Sequence, residues 1–582
     1  MNEKPKKRLQ YILHLSETQI LITLSIVVGL GTAIGAITFM KLINYFHHVF
    51  FGYSEQVLTA LSGHFNYWIP LIPMAGGLIV GPIVYKFAVE AKGHGVPEVM
   101  LAVARMGGII RVRVAAAKAV ASAICIGSGG SAGREGPIVQ IGSAIGSSIG
   151  QLFKMPQSRI KILVGCGAAA GISSVFNAPI AGVIFSLEII LGDFAIKTFS
   201  PVLLSSVIAS VVTRTFMGDH PAFDVPSYTL VSAWEIPLYM ILGAFCGSIA
   251  VLFTTTLHGT EELFDKLKIS PYFKPALGGL ILGSIGVFYP QIFSDGYEII
   301  KLTIYGQMIV WLMLVLIFLK IIATSLTLGS GNSGGIFAPS LFMGAVAGGT
   351  FGYFVHLLFP GVTASAGAYA LVGMAALVGG TTHAPITAIL IIFEMTSDYR
   401  IILPLMVSVV FSTLVARHIF SPSIYTIKLI KRGIDLKAGK DTAVLRELKV
   451  SEIMDTEFET MAADTPLAKI LEIVDTSRGT TFMVTDKNNK FCGVLSFEDL
   501  VGILTQHSLD YLIIAKDIAT TDYIAVYPDE NLEEAQKKMS TKDFKLLPVV
   551  NKNDPSIILG VLRREDLVQY YNKKLIESFK ET

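Results

Sequence analysis

The sequence predicts an all-α polytopic membrane body followed by a soluble α/β module, and three observations carry that prediction. The first is where the charge falls. Of 582 residues, 15% are charged and 52% hydrophobic, with mean hydropathy +0.61, whereas an ordinary soluble domain carries about a quarter charged residues. Residues 431–582 hold 47 of the 90 Asp, Glu, Lys and Arg residues, and the first 430 hold the other 43. An apolar body therefore precedes a water-soluble tail. The second observation is that glycine and proline interrupt the apolar body, at Gly127-Ser128-Gly129, Gly329-Ser330-Gly331, Pro179 and Pro385. In lipid, broken helices survive only where protein or a water-filled cavity satisfies the freed backbone groups. The third is that these breaks repeat in order. The composition excludes a wholly soluble enzyme, a secreted disulfide scaffold and a disordered chain. A net charge of +2 argues against a nucleic-acid partner, which would need a basic face. Cys125, Cys166, Cys246 and Cys492 lie too far apart to suggest a metal site and read as reduced packing residues.

In chain order, Lys4, Lys6, Lys7 and Arg8 precede an apolar run at residues 20–40. That run is longer than the roughly 7–15 residues of a signal-peptide core and reads as a retained span. Residues 1–19 are then a cytoplasmic segment by the positive-inside rule. Lys428, Lys431 and Arg432 follow the last apolar run, at residues 401–420, so the tail is expected on the same side. Both ends on one side require an even number of crossings, in a cell (inner) membrane or an organelle membrane.

Between these ends the body is duplicated. Residues 127–146 read GSGGSAGREGPIVQIGSAIG and residues 329–348 read GSGNSGGIFAPSLFMGAVAG, with Gly, Ser, Gly, Ser, Gly, Pro, Gly and Gly in register without a gap. Residues 167–188, GAAAGISSVFNAPIAGVIFSLE, match residues 373–394, GMAALVGGTTHAPITAILIIFE, through Gly, Ala-Ala, Ala-Pro-Ile and the closing Glu. Each Gly-rich loop leads to a proline and an apolar helical run. Proline suits a first helical turn, and the N–H groups there are free at the positive end of the helix dipole. Two such ends converging inside a membrane form a site for a small anion without a full buried positive charge. A site of that kind releases its ion readily.

These residues carry a family resemblance. Gly133-Arg134-Glu135-Gly136-Pro137, Gly335-Ile336-Phe337-Ala338-Pro339 and Gly93-His94-Gly95-Val96-Pro97-Glu98 look like the three anion-filter motifs of the CLC chloride channels and transporters. The resemblance covers residues 20–430 and implies two inverted repeats of broken, tilted helices. It also implies a homodimer in the lipid bilayer, with a chloride pathway in each subunit. Glu135 matches the family's gating glutamate, whose carboxylate occupies an anion site and leaves it when protonated. His94, Gly95, Gly133, Arg134, Gly136, Ile336, Phe337 and Ala338 fall at anion-binding positions. Tyr425 matches the tyrosine whose hydroxyl donates to the central anion.

Two departures from the family pattern bear on function. His94 stands where the first motif usually has serine, so a group that can become a cation replaces a neutral hydroxyl. The alternative is that His94 turns away and a backbone N–H holds the ion. Proton-coupled members also show two consecutive glutamates after the Asn-Ala-Pro helix, whereas here the pair is Glu188-Ile189. Ile189 cannot carry a proton, and Glu188, paired in the repeat with Glu394, reads as structural. Adjacent positions on an α-helix point about 100° apart, so Glu188 does not simply replace the missing acid. The expectation is a gated chloride channel, with a proton-coupled chloride antiporter as the alternative.

After a linker at 431–448, the tail holds two similar units, 449–507 and 513–572, and a short terminal segment, 573–582. Each unit runs polar lead, amphipathic helix (466–476, 531–539), strand (481–485, 546–550) and a Gly-Val-Leu-x-x-Glu-Asp-Leu ending. This resembles a pair of cystathionine-β-synthase (CBS) domains. The resemblance implies an ATP, ADP or AMP site using Ser496, Asp499 and Asp566, although Arg563 replaces the second serine; a purely structural dimerisation module is the alternative. No HExxH or Walker loop is present, so no enzyme is expected. A CBS-regulated divalent-cation transporter is the distant rival, and it would need carboxylate clusters within the spans.

Overall fold

The computed structural model describes residues 17–52, 68–218, 223, 225, 226, 228, 230–432, 448–477, 481–501, 513–541, 544–567, 569 and 570. The basic N-terminal residues, the linker from 433 to 447 and the terminal segment 573–582 lie outside them. The chain divides into two compact units, residues 1–434 and 435–582.

The first unit is all-α and built twice over. Its first half comprises α1 Glu17–His47, α2 Leu71–Pro82, α3 Val96–Arg105, α4 Val112–Gly127, α5 Glu135–Leu152, α6 Gln157–Phe176, α7 Pro179–Phe185 and α8 Ile196–Met217. The second half repeats the series as α9 Glu235–Lys266, α10 Lys274–Gly286, α11 Tyr297–Ile304, α12 Val310–Gly329, α13 Phe337–Leu358, α14 Ala366–Thr382, α15 Pro385–Thr396 and α16 Ile402–Ile419. A short α17, Thr426–Lys431, closes the unit. Each helix of the first half thus answers to the one eight places later. Among the described residues, seven helices are long and apolar enough to cross a membrane, while Leu71–Phe87, Pro179–Leu191, Ala366–Thr382 and Pro385–Thr396 are shorter apolar helices.

Paired glycines set the close helix crossings in both halves. A Cβ on Gly142 of α5 would stand 2.2 Å from the Gly167 carbonyl oxygen of α6, and one on Gly344 of α13 would stand 2.4 Å from that of Gly373 on α14. Small residues allow such backbone approach where packing, and not water exclusion, holds helices together. The chain also breaks at the same place in both halves: Asn177 and His383 take left-handed backbones, with φ 56° and 58°, just before α7 and α15. Cys125, Cys166 and Cys246 are free and buried in this packing.

The second unit is α/β. A three-stranded sheet joins β1 Thr460–Ala462, parallel, to β2 Thr481–Thr485, which pairs antiparallel with β3 Phe491–Ser496. The elements α18 Leu467–Thr476, α19 Phe497–Val501, α20 Ala515–Ile518 and α21 Leu532–Thr541 accompany that sheet and the antiparallel pair of β4 Leu546–Val550 and β5 Ile558–Arg563. The two repeats trade their lead segments. Asp455 and Val561 exchange backbone hydrogen bonds at 2.8 and 2.9 Å, as do Thr520 and Val494 at 2.9 and 3.1 Å. Met483, Phe491, Val550 and Val561 form a shared core between them.

Candidate functional site

The Gly-rich loops of the two halves are stitched together. Gly133 N–H donates to the Gly335 carbonyl at 2.8 Å and Gly335 N–H to the Gly133 carbonyl at 2.6 Å. Such reciprocity is what a two-fold relation between halves produces. Gly93 N–H donates to the Asn332 carbonyl at 3.0 Å, which brings in the loop ahead of α3. Side chains repeat the exchange: Ser122 meets Ser333 at 2.9 Å, and Ser131 meets Thr324 at 3.0 Å. The N-termini of α3, α5 and α13 are thereby gathered in one buried region. The first N–H groups of each have no intrahelical acceptor and carry the positive end of a dipole.

The glycines make that convergence possible. Gly95 caps α3 at φ +82°, a left-handed backbone that costs glycine nothing. A Cβ on Gly136 would lie 2.2 Å from the His94 carbonyl oxygen, and one on Gly133 would lie 2.1 Å from Glu135 Oε2. The Gly133 N–H is itself engaged by the Gly335 carbonyl.

Glu135 is the first residue of α5 and is 1% exposed. Its Oε1 accepts from the Tyr297 hydroxyl at 3.1 Å, and Oε2 receives the Ala338 N–H at 3.4 Å. The carboxylate thus lies against the N-terminus of α13 in the other half. Ile336 and Phe337, where α13 begins, are buried, with Phe337 packed on Phe176 at 5.4 Å between ring centroids. Arg134 lies with its guanidinium carbon 4.7 Å from the Tyr297 ring centroid. His94 is 1% exposed, and neither ring nitrogen has a hydrogen-bond partner among the described residues. Its ring lies 5.7 Å from that of buried Tyr425. A buried, unpartnered imidazole is costly unless something polar meets it.

Sequence reasoning missed three features here. Tyr297 begins α11 behind Gly296 (φ +80°), just as Val96 begins α3 behind Gly95, so the loop at 292–297 is the counterpart of the loop at 91–96. Each loop is held by a buried lysine. Lys118 Nζ donates to the Ala91 and Gly93 carbonyls at 3.0 and 2.6 Å, and Lys320 Nζ to those of Ile292 and Ser294 at 2.9 and 3.0 Å. The third feature is the salt bridging of Glu98 by Lys428 and Arg432, both at 3.1 Å.

Glu188 and Glu394 cap each other's broken helices. Glu188 accepts from the Thr387 N–H at 2.8 Å and the Thr387 hydroxyl at 2.6 Å on α15, and Glu394 from the Ile180 and Ala181 N–H groups at 3.0 and 2.7 Å on α7. Ile189 is buried beside it. The segment Ser186–Leu191 is π-helical, so the α-helical angle assumed between Glu188 and Ile189 is corrected: a wider turn has a smaller step per residue.

Residues 76–417, more than half of the chain, match the voltage gated chloride channel family. The chain belongs to the CLC family. A putative ClcB-like chloride channel protein of Ralstonia nicotianae is 34% identical over 413 residues, covering 70% of this chain and 96% of the relative. The H(+)/Cl(-) exchange transporter ClcA of Salmonella arizonae is 32% identical over 417 residues, covering 70% and 87%. A solved slow cyanobacterial Cl-/H+ antiporter matches with a TM-score of 0.67 at 28% identity, over 72% of this chain and 98% of that one. CLC proteins are integral membrane proteins that move chloride and are not enzymes, which leaves the divalent-cation alternative without support.

In this CLC chain, residues 450–506 and 515–573 match the CBS domain family. Ser496 donates through its N–H and hydroxyl to Asp499 Oδ2 at 2.8 and 2.7 Å, so one oxygen of Asp499 is engaged at the start of α19. Arg563 is paired with Asp455 at 2.8 Å. Asp566 is partly buried.

Proposed function

We propose that this chain is a gated chloride channel in which the Glu135 carboxylate is a tethered competitor for the permeant anion. The observation that carries this reading is the place of that carboxylate, against the Ala338 N–H at the start of α13. A chloride arriving at the same amides must displace it, and protonation weakens its hold. Arg134, Gly136, Ile336 and Phe337 surround the outer part of the pathway, and Gly95, His94 and Tyr425 the inner part. The unpartnered His94 ring supports a polar occupant there, so the imidazole replaces the usual serine hydroxyl as an anion ligand.

Conduction without fixed proton exchange follows from Ile189, because an apolar side chain offers no proton acceptor on the inner side. Reconstituted into sealed liposomes, the protein moves chloride down its gradient with a reversal potential at the chloride Nernst value. Uphill proton movement at a fixed ratio sinks this reading.

One observation favours the antiporter instead. Buried His258 lies 3.4 Å from Glu261, and both act electrostatically on His94, which provides titratable groups near the anion pathway on a different helix. Two of the relatives named above are exchangers by title, and the same liposome measurement separates the readings.

The working form proposed is a homodimer with one pathway per subunit, in a cell (inner) membrane with both termini cytoplasmic. The proposed organisation is a membrane body at 20–430, a linker at 431–448 and CBS units at 449–507 and 513–572. The CBS pair is proposed to bind ATP, ADP or AMP through Asp499 and Asp566.

A further inference from the structure

Tyr297 belongs to none of the three filter motifs, yet its hydroxyl meets the Glu135 carboxylate at 3.1 Å. Its ring is fixed on two sides. Phe223 stacks on it at 5.4 Å with 22° between the planes, and the Arg134 guanidinium lies 4.7 Å from its centroid. A phenol with two torsions, clamped between an aromatic ring and a cation, presents its hydroxyl with little freedom. The loop beneath it is clamped as well, since Lys320 holds the carbonyls of Ile292 and Ser294, and Ser294 N–H donates to the Gly129 carbonyl at 3.2 Å.

We propose that Tyr297 is a latch for the Glu135 gate: its hydroxyl donates to the carboxylate and holds it across the anion pathway until protonation releases it. A tyrosine hydroxyl that donates to an ionised carboxylate makes a charge-assisted bond. Protonation removes the negative charge that this bond depends on, so the same hydroxyl loses its grip when the gate is neutral. The charged and titratable groups acting on Glu135 are Arg134, which caps its helix, Asp295 and Tyr297 on the loop entering α11, and Tyr425 ahead of α17. Only Tyr297 among them touches the carboxylate with a side-chain donor. Tyr297 is a positioning residue, acting on chloride through Glu135.

The inference rests on the reading of Glu135 as the gate, and its test separates the two. Chloride flux is measured against external pH in liposomes holding the full-length parent, Tyr297→Phe, Glu135→Gln and the double variant. Phenylalanine keeps the stacking on Phe223 and the packing against Arg134, so the fold is retained and only the hydroxyl is lost. Tyr297→Phe moves the midpoint of acid activation toward higher pH by about one unit, the scale of one hydrogen bond to a charged acceptor. Well above the midpoint, that shift gives about tenfold more flux. In the Glu135→Gln background the same substitution has no effect on the pH profile. If Tyr297→Phe superimposes on the parent while Glu135→Gln abolishes pH dependence, the latch is wrong and the gate stands. An equal effect in both backgrounds also overturns the latch. If Glu135→Gln keeps the parent's pH dependence, the gate itself fails and the latch with it.

Discussion

Replacing Glu188 by alanine tests whether this carboxylate is a structural cap or a proton carrier. Two strong bonds are lost, from the Thr387 N–H at 2.8 Å and the Thr387 hydroxyl at 2.6 Å, with a longer one from the Ile386 N–H at 3.3 Å. Hydrogen bonds to charged groups contribute about 1.5–3 kcal/mol each, and a carboxylate at a helix N-terminus gains up to ~2 kcal/mol from the dipole. Glu188 is only half-buried, so solvent discounts the sum, and about 2–4 kcal/mol is expected. Glutamine keeps one acceptor oxygen and is expected to cost about half as much. Thermal unfolding of the detergent-solubilised protein measures the order: parent above Glu188→Gln above Glu188→Ala. Glu394→Ala lowers stability similarly, through Ala181 and Ile180. Chloride flux through Glu188→Gln stays near the parent's rate. If both Glu188 variants melt with the parent while proton movement disappears, the carboxylate is a proton carrier and the capping argument fails.

Glu135→Gln and Glu135→Ala remove the titratable competitor, so chloride flux becomes nearly independent of external pH; full retention of the parent's pH profile refutes the gate. Lys320→Met leaves the Ile292 and Ser294 carbonyls without their buried donor, at about 1–3 kcal/mol for each unsatisfied group. It lowers the melting temperature and, through the loop that carries Tyr297, shifts acid activation in the direction of Tyr297→Phe. Nucleotide binding by the CBS pair raises the melting temperature of the full-length chain at millimolar ATP, ADP or AMP, by mass action on the folded state. Asp499→Ala or Asp566→Ala diminishes that rise, and no rise with any of the three makes the pair a structural module.

Much of this architecture is legible because glycine and proline are read directly by the backbone. The gapless match of residues 127–146 with 329–348 already aligns Glu135 with Phe337, and both begin their helices. The tail strands at 481–485 and 546–550 fall at the same place in the two units, between the amphipathic helix and the Gly-Val-Leu ending. What stayed hidden depends on geometry that residue types do not encode. Lys118 and Lys320 stand 202 residues apart, as do Gly127 and Gly329, but Gly95 and Gly296 stand 201 apart. One residue of slippage takes Tyr297 out of any gapless comparison with the first filter loop. A lysine in an apolar run also looks the same in sequence whether it reaches for solvent or for buried carbonyls. The π-helical turn at Ser186–Leu191 leaves no residue signature, since the matching residues at 392–396 belong to the regular α-helix Pro385–Thr396.

The duplicated scaffold also explains where function has to sit. Two identical halves joined about a two-fold relation would put the same groups on both faces of the anion site, and an anion would meet no difference between inside and outside. Here the backbone keeps the symmetry, in the reciprocal Gly133–Gly335 bonds, the exchanged Glu188 and Glu394 caps and the matched Lys118 and Lys320 clamps. The side chains gathered at the Gly-rich loops break it. Glu135 faces Phe337 in the repeat, so one half supplies a carboxylate and the other an amide to receive it. By loop position His94 answers to Asp295 and Val96 to Tyr297, which gives one loop an imidazole and the other a hydroxyl that reaches Glu135. Stability drawn from symmetric contacts leaves these few positions free to differ. Tyr297→Phe together with Glu135→Gln perturbs the asymmetry alone: melting stays close to that of the parent while pH-gated flux is lost. A large fall in melting temperature on those two substitutions means that the gate residues also hold the scaffold, and the division between symmetric support and asymmetric function fails.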